Sequence, residues 1–160
     1  MNLNNKNNGM LLESLIDLSI EKYAQFNIAL ISKNYVPTKF KNIQKDMSLN
    51  GKIISKAIVD YSGIYNGKFI AFDAKSTTQN EFHTKNIKLH QHEYLLKAKK
   101  MGAICFYIIG FISKQKYFIV NIEQINLSKS KYTLDEIEKI GRIIHLILPG
   151  YLDFISKIDI

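Results

Sequence analysis

The sequence predicts one mixed α/β (α+β) domain, on three observations. Apolar residues recur at helical spacing near the N-terminus, an Asn-Gly pair separates two apolar runs in the middle, and later apolar stretches read as a helix, two buried strands and a helix. The resulting order is helix, three strands, helix, two strands, helix, which packs as a sheet with helices on it. A length of 160 residues suits one domain, and 46% hydrophobic against 22% charged residues can build a core rather than a disordered chain.

Each element has a local reason. Residues 1–9, MNLNNKNNG, are polar and are expected as a flexible arm. From Met10 to Ala24, Leu11, Leu12, Leu15, Ile16, Ile20 and Tyr23 make one apolar helical face, with Glu13, Asp17 and Glu21 on another. Ile28 to Ser32 is short, apolar and strand-like. Val36 to Lys56 holds Pro37, Gly51 and five lysines (Lys39, Lys41, Lys45, Lys52, Lys56) against one acid, Asp46, and is expected as an exposed basic excursion. It leads into a strand over Ile53 to Asp60. Asn66-Gly67 predicts a type I′ hairpin turn, which needs positive φ at both central residues, and Phe69 to Lys75 is the return strand. Lys88 to Lys100 is a predicted helix, and Ala103 to Ile112 and Lys116 to Ile122 are predicted strands. Thr133 with Glu136 makes a capping box for a helix reaching about Ile140. Pro149-Gly150 breaks the chain before a C-terminal tail.

Charge and composition narrow the function. Lys and Arg number 22 against 14 Asp and Glu, a formal charge of +8. That surplus points to a polyanion, with nucleic acid first and an anionic membrane surface second; a protein that is merely basic is the alternative. Arg142 is the only arginine, so bidentate reading of guanine is nearly excluded, and any DNA contact should follow backbone and shape. The single cysteine, Cys105, excludes a disulfide framework within the chain and an all-cysteine zinc site. No apolar run approaches the roughly 18 residues of a membrane span, and the N-terminus lacks the apolar core of a signal peptide. A cytoplasmic protein without membrane attachment is expected.

The hairpin supports a geometric argument. With Asn66 and Gly67 as the loop, paired residue numbers sum to the same value outward from Tyr65 and Lys68, and Asp60 then faces Asp73. Lys75 shares their side of the sheet, whereas Ile70 and Phe72 point into the core. A bulge at Gly63 would shift this register. Facing carboxylates repel unless a cation lies between them, and a divalent ion held by Asp60 and Asp73 satisfies that requirement. Lys75 could then orient or deprotonate a water, or neutralise a pentavalent phosphorane-like charge. The same spacing also fits Asp60 capping a turn, with Asp73 and Lys75 on a solvated strand face.

The segment IVDYSGIYNGKFIAFDAKST resembles the catalytic segment of the RecU-type Holliday junction resolvases, members of the PD-(D/E)XK nuclease superfamily. Asp60 and Asp73-Ala74-Lys75 match the superfamily pattern of an Asp, a hairpin and Asp/Glu-x-Lys. Outside it, NNGMLLE (7–13) is similar to the family's N-terminal signature, His90-Gln91 to an H-Q pair, GAICFYII (102–109) to the following strand, and PGYLDFI (149–155) to the C-terminal segment. The resemblance implies a restriction-endonuclease-like mixed central sheet flanked by helices, in a single nuclease domain over 1–160 with a projecting basic stalk at 36–56. It implies a homodimeric endonuclease dependent on Mg²⁺, with Mn²⁺ as a substitute, that cuts four-way DNA junctions by paired symmetric nicks. The stalk lysines Lys39, Lys41, Lys45, Lys52 and Lys56 would contact DNA. Two departures stand out: Asn8 replaces an arginine, and Asp73 replaces the usual glutamate.

Glu13 matches the signature's acid and is a candidate to approach the metal, or else belongs to a solvated stripe with Asp17 and Glu21. Gln91 is a candidate to hydrogen-bond near the site. His83, His90 and His92 cluster in sequence, yet His90 and His92 are two apart and point to different helix faces, which argues against zinc; contact with phosphate is the better assignment. Cys105 is expected in the core, and Tyr61 and Tyr65 in packing. The main alternative is a DNA-binding, architectural recombination protein with weak or lost nuclease activity.

Overall fold

The computed structural model describes residues 3–35, 38–43, 49–53 and 58–158. In chain order these form α1 (Leu3–Gln25), β1 (Ala29–Lys33), β2 (Thr38–Ile43), β3 (Leu49–Ile53), β4 (Tyr61–Tyr65), β5 (Lys68–Thr77), β6 (Glu81–His83), α2 (Leu89–Lys100) and β7 (Ile104–Phe111). They continue with β8 (Lys116–Asn121), β9 (Lys131–Thr133), α3 (Leu134–Ile140), β10 (Gly141–Ile144), β11 (Leu146–Ile147) and β12 (Tyr151–Leu152). A six-stranded mixed sheet has the order β1-β4-β5-β7-β8-β10. Its one parallel pair is β5 with β7, and the connection between them carries α2.

The tight turn sets the register. Asn66 and Gly67 have φ of 48° and 72°, as a type I′ turn requires. Tyr65 pairs Lys68 and Tyr61 pairs Phe72 with no shift at Gly63, which faces Ile70. Gly63 matters for another reason. A Cβ there would lie 2.0 Å from the backbone oxygen of Leu30, so only glycine lets β1 close on β4.

Two cores lie on opposite faces. On one, Leu12, Ile16, Ile20 and Tyr23 of α1 pack against Ile31, Tyr61, Ile70, Phe72, Phe106 and the C-terminal Phe154. Stacked rings of Tyr61, Phe72 and Phe106, at centroid spacings of 4.9 and 4.8 Å, run across three strands. On the other, Leu95 of α2 and Ile137 of α3 cover Cys105, Tyr107, Ile109, Phe118 and Val120. Alternation along β5 therefore sends Ile70 and Phe72 toward α1, and Ala71, Asp73 and Lys75 toward the α2 side. The mixed sheet flanked by helices is the predicted class.

Three boundaries differ from the sequence reading. The first helix begins at Leu3, so residues 3–9, expected as an arm, are helical; asparagine disfavours a helix by well under 1 kcal/mol, and a packed helix propagates one residue at a time at little cost. Of the strand expected over Ile53 to Asp60, residues 54–57 lie outside the described residues; Ile53 ends β3, Ile58 to Asp60 are not strand, and β4 starts at Tyr61. The ladder stops there because the Asp60 N–H donates to a side chain rather than to β5. The excursion contains the antiparallel pair β2–β3, with Lys39 opposite Lys52, separate from the main sheet. Lys39, Lys41 and Lys52 lie on these strands, whereas Lys45 and Lys56 lie outside the described residues. The capping box at Thr133 forms as expected, and the Pro149-Gly150 break joins β11 to β12. Short β6 pairs β9 and had no sequence signal of its own. No helix among the described residues is long and apolar enough to cross a membrane.

Gly63→Ala should destabilise the domain by about 3 kcal/mol or more, because the clash is with backbone that has no rotamer to yield. A denaturant melt within 1 kcal/mol of wild type would contradict the close approach of β1.

Candidate active site

Asp60 and Asp73 sit one position beyond the last rung of the β4–β5 ladder, and two reciprocal hydrogen bonds continue the rung. The Asp60 backbone N–H donates to Asp73 Oδ1 at 2.7 Å. The Ala74 N–H donates to Asp60 Oδ2 at 3.2 Å. Asn34, just past β1, holds the same stretch of chain: its N–H donates to the Asp60 carbonyl at 2.8 Å and its amide to the Val59 carbonyl at 3.1 Å. Ser62 donates to the Asn34 Oδ1 at 3.0 Å. Sequence reading missed Asn34, since a lone asparagine after a strand carries no signal until its partners are known.

Lys75 closes the site. Its Nζ lies 3.1 Å from Asp60 Oδ2 and 3.2 Å from Asp73 Oδ2. The cation that two facing carboxylates require is, in this structure, the ammonium of Lys75. Asp73 is fully buried, whereas the Asp60 side chain is 34% exposed, so the group opens to solvent on the Asp60 side. Burial raises the Asp73 pKa; the positive charge of Lys75 opposes the shift and the negative charge of Asp60 adds to it.

The remaining candidates separate. Glu13 is bound to Lys33 at 2.7 Å, and Asp17 accepts from the Tyr61 hydroxyl at 2.9 Å, so the acidic side of α1 is tied to β1 and β4. Gln91 is buried, and its Oε1 is the one buried side-chain oxygen or nitrogen without a partner among the described residues. Its neighbour His92 is also buried, with Nδ1 2.9 Å from the Tyr107 hydroxyl. Tyr107 stands opposite Asp73 in the parallel register. Burial lowers the His92 pKa and raises that of Tyr107, with the charges of Asp73 and Asp60 adding to the latter. His92 and Tyr107 are thus a neutral pair behind the acids, a second feature the sequence concealed. His90 is exposed, and no three His, Cys, Asp or Glu side chains cluster as a metal site among the described residues. Cys105 is buried, with its thiol pushed up to about 11 by burial, as fits a core residue.

The donor set fits a hard divalent cation. It is all oxygen, two carboxylates with one side open, suited to an ion that keeps most of its waters. The unsatisfied Gln91 Oε1 adds a buried acceptor on α2 with no protein donor.

Comparison with known proteins places the chain. A family model described as "Recombination protein U" matches residues 7–160. The "Holliday junction resolvase RecU" of Mycoplasmopsis pulmonis is 39% identical over 152 residues, covering 94% of this chain and 92% of that protein. Its namesake from Ureaplasma parvum serovar 3 is 40% identical over 123 residues, covering 77% and 72%. That from Streptococcus gordonii is 32% identical over 166 residues, covering 94% and 83%. Among solved structures, that of Archaeoglobus fulgidus Hjc, a Holliday junction resolvase, matches with a TM-score of 0.48 at 12% identity, over 79% of this chain and 92% of that one.

A carboxyl with a raised folded pKa favours the folded state in its neutral form. That contribution is fully present below the unfolded pKa and is lost as pH rises through the folded one. Without metal, Asp73→Asn should therefore melt higher than wild type at neutral pH, since the amide oxygen still accepts from the Asp60 N–H. The gain should vanish at about pH 3.5. A lower melting temperature at neutral pH would mean that pairing with Lys75 outweighs burial.

Proposed function

The chain belongs to the Recombination protein U family, and we propose that it is a Mg²⁺-dependent endonuclease that resolves four-way DNA junctions by paired, symmetric nicks. The observation that carries this reading is the convergence of Asp60, Asp73 and Lys75 at an opening of the sheet. Relatives named Holliday junction resolvase, one of them 39% identical over nearly the whole length of both chains, supply the substrate class.

Asp60 and Asp73 would hold the divalent ion, with Mn²⁺ as a substitute. When bound, such an ion supplies positive charge to a phosphoryl oxygen and acidifies water. Lys75, already set between the acids, places a fixed ammonium where charge develops on the phosphorus centre. Asn34 holds the backbone that carries Asp60, and buried Asp73 keeps its rotamer through the Asp60 N–H. Gln91 offers its unpaired oxygen to a donor on water or substrate. Glu13 acts through Lys33 to fix α1 against β1 rather than as a ligand. The charge of +8 supports a nucleic-acid partner, and the lysines at 39, 41, 45, 52 and 56 supply point charges for phosphates.

Two symmetric cuts call for two symmetric sites, so the active form is a homodimer. Leu30 pairs Ile64 and Ile64 pairs Phe69, and all three are exposed on the sheet face that carries the acids. A contiguous apolar row beside a catalytic centre suits a second copy of the chain.

The test is a synthetic four-way junction beside a matched linear duplex, with Mg²⁺ or EDTA. Symmetric nicks in the junction alone are expected. Asp60→Asn should cut at least about 100-fold more slowly while binding the junction with affinity near wild type. Cutting that survives this change would refute the metal assignment, and binding without any cutting by wild type would favour an architectural role. Ile64→Asp should convert a dimer to a monomer in sedimentation and abolish paired nicking; a dimer that persists would place the interface elsewhere.

A further inference from the structure

We propose that a polar cleft at the end of the catalytic strand is a second phosphate subsite, holding the backbone of the cleaved DNA strand one to two nucleotides from the scissile bond, through Lys85 and His83. This rests on the nuclease reading and names where its substrate lies. The cleft is a cavity of about 390 Å³ whose walls include Ser76, Thr77, His83, Lys85 and Asn86.

Position is the first argument. β5 carries Asp73 and Lys75 and runs straight into the cleft at Ser76 and Thr77. At about 3.3 Å per residue, Thr77 lies roughly 7 Å beyond Lys75 on the same side of the strand. A nucleic-acid strand advances about 3.4 Å along its axis per phosphate, so a strand with one phosphate at Lys75 brings another to the cleft.

Chemistry is the second. The walls offer three hydroxyls, two amides, an imidazole and an ammonium, and no carboxylate side chain. The nearest acid in sequence, Glu81, is occupied by Lys131 at 2.8 Å. Lys85 is exposed and makes no ion pair among the described residues, unlike Lys75, Lys129 and Lys131. No aromatic ring other than the His83 imidazole lines the cleft, so it suits a phosphodiester rather than a stacked base.

Rigidity is the third. The Thr77 hydroxyl donates to the Glu81 carbonyl at 3.0 Å and accepts from the Gln79 N–H at 3.1 Å, which closes the turn into β6. Ser113 donates to the Thr78 carbonyl at 2.8 Å, and Thr84 donates to the Lys129 carbonyl at 2.6 Å. These bonds fix the walls before any ligand arrives, so little ordering is lost on binding.

The experiment measures binding of a labelled four-way junction in EDTA across a salt series, then steady-state cutting in Mg²⁺. Lys85→Ala should weaken binding about threefold to tenfold and lower the slope of log K against log salt by about 1. Lys85→Arg should restore the slope. The double variant Lys85→Ala, His83→Gln should raise KM with kcat nearly unchanged, because the cleft binds a part of the strand that does not react. A double variant with native circular dichroism and wild-type affinity and slope would overturn the subsite and leave the nuclease reading standing. Wild type that binds with the Lys85 dependence but never cuts would overturn the nuclease reading alone.

Discussion

The hydrogen bond from the Asp60 N–H to the Asp73 carboxylate is the constraint on which the site depends. It ends the β4–β5 ladder, turns a backbone donor inward, and brings two acids together on one face. Unit like charges about 4 Å apart repel by roughly 4 kcal/mol at an effective dielectric of 20. Here two backbone N–H groups and the Lys75 ammonium offset that repulsion.

The sheet divides labour between its faces. α1 and the C-terminal Phe154 and Ile155 seal one face with a continuous aromatic and aliphatic core. α2 and α3 seal only the β7–β8 half of the other. The β1–β4 half keeps Leu30 and Ile64 exposed, and the acids lie along that same face. Burial therefore stabilises the domain through one whole face, and the uncovered half of the other stays open to solvent. Behind the acids, the His92–Tyr107 pair fills the space under α2 with groups that burial keeps uncharged, so it adds no net charge to the site.

Much of this was legible along the chain. Asn66-Gly67 dictated the turn, the turn dictated the pairing of Tyr61 with Phe72, and period-two alternation put Asp73 and Lys75 on one side with Phe72 on the other. The capping box at Thr133 and the apolar face of α1 were equally local. Glu13 was harder: its spacing with Asp17 and Glu21 was visible, but its pairing with Lys33 depends on a partner 20 residues away. Asn34, Tyr107 and His92 had no local signature, because each acts through a contact made only when separate strands and α2 meet.

Sequence alone determined which residues could share a face, since side-chain direction follows from turn type and strand period, both properties of a few neighbouring residues. Tertiary structure decided how deep each one sits and what it touches. Desolvation and hydrogen bonding depend on chain segments far apart in sequence, as the full burial of Asp73 beside the open flank of Asp60 shows.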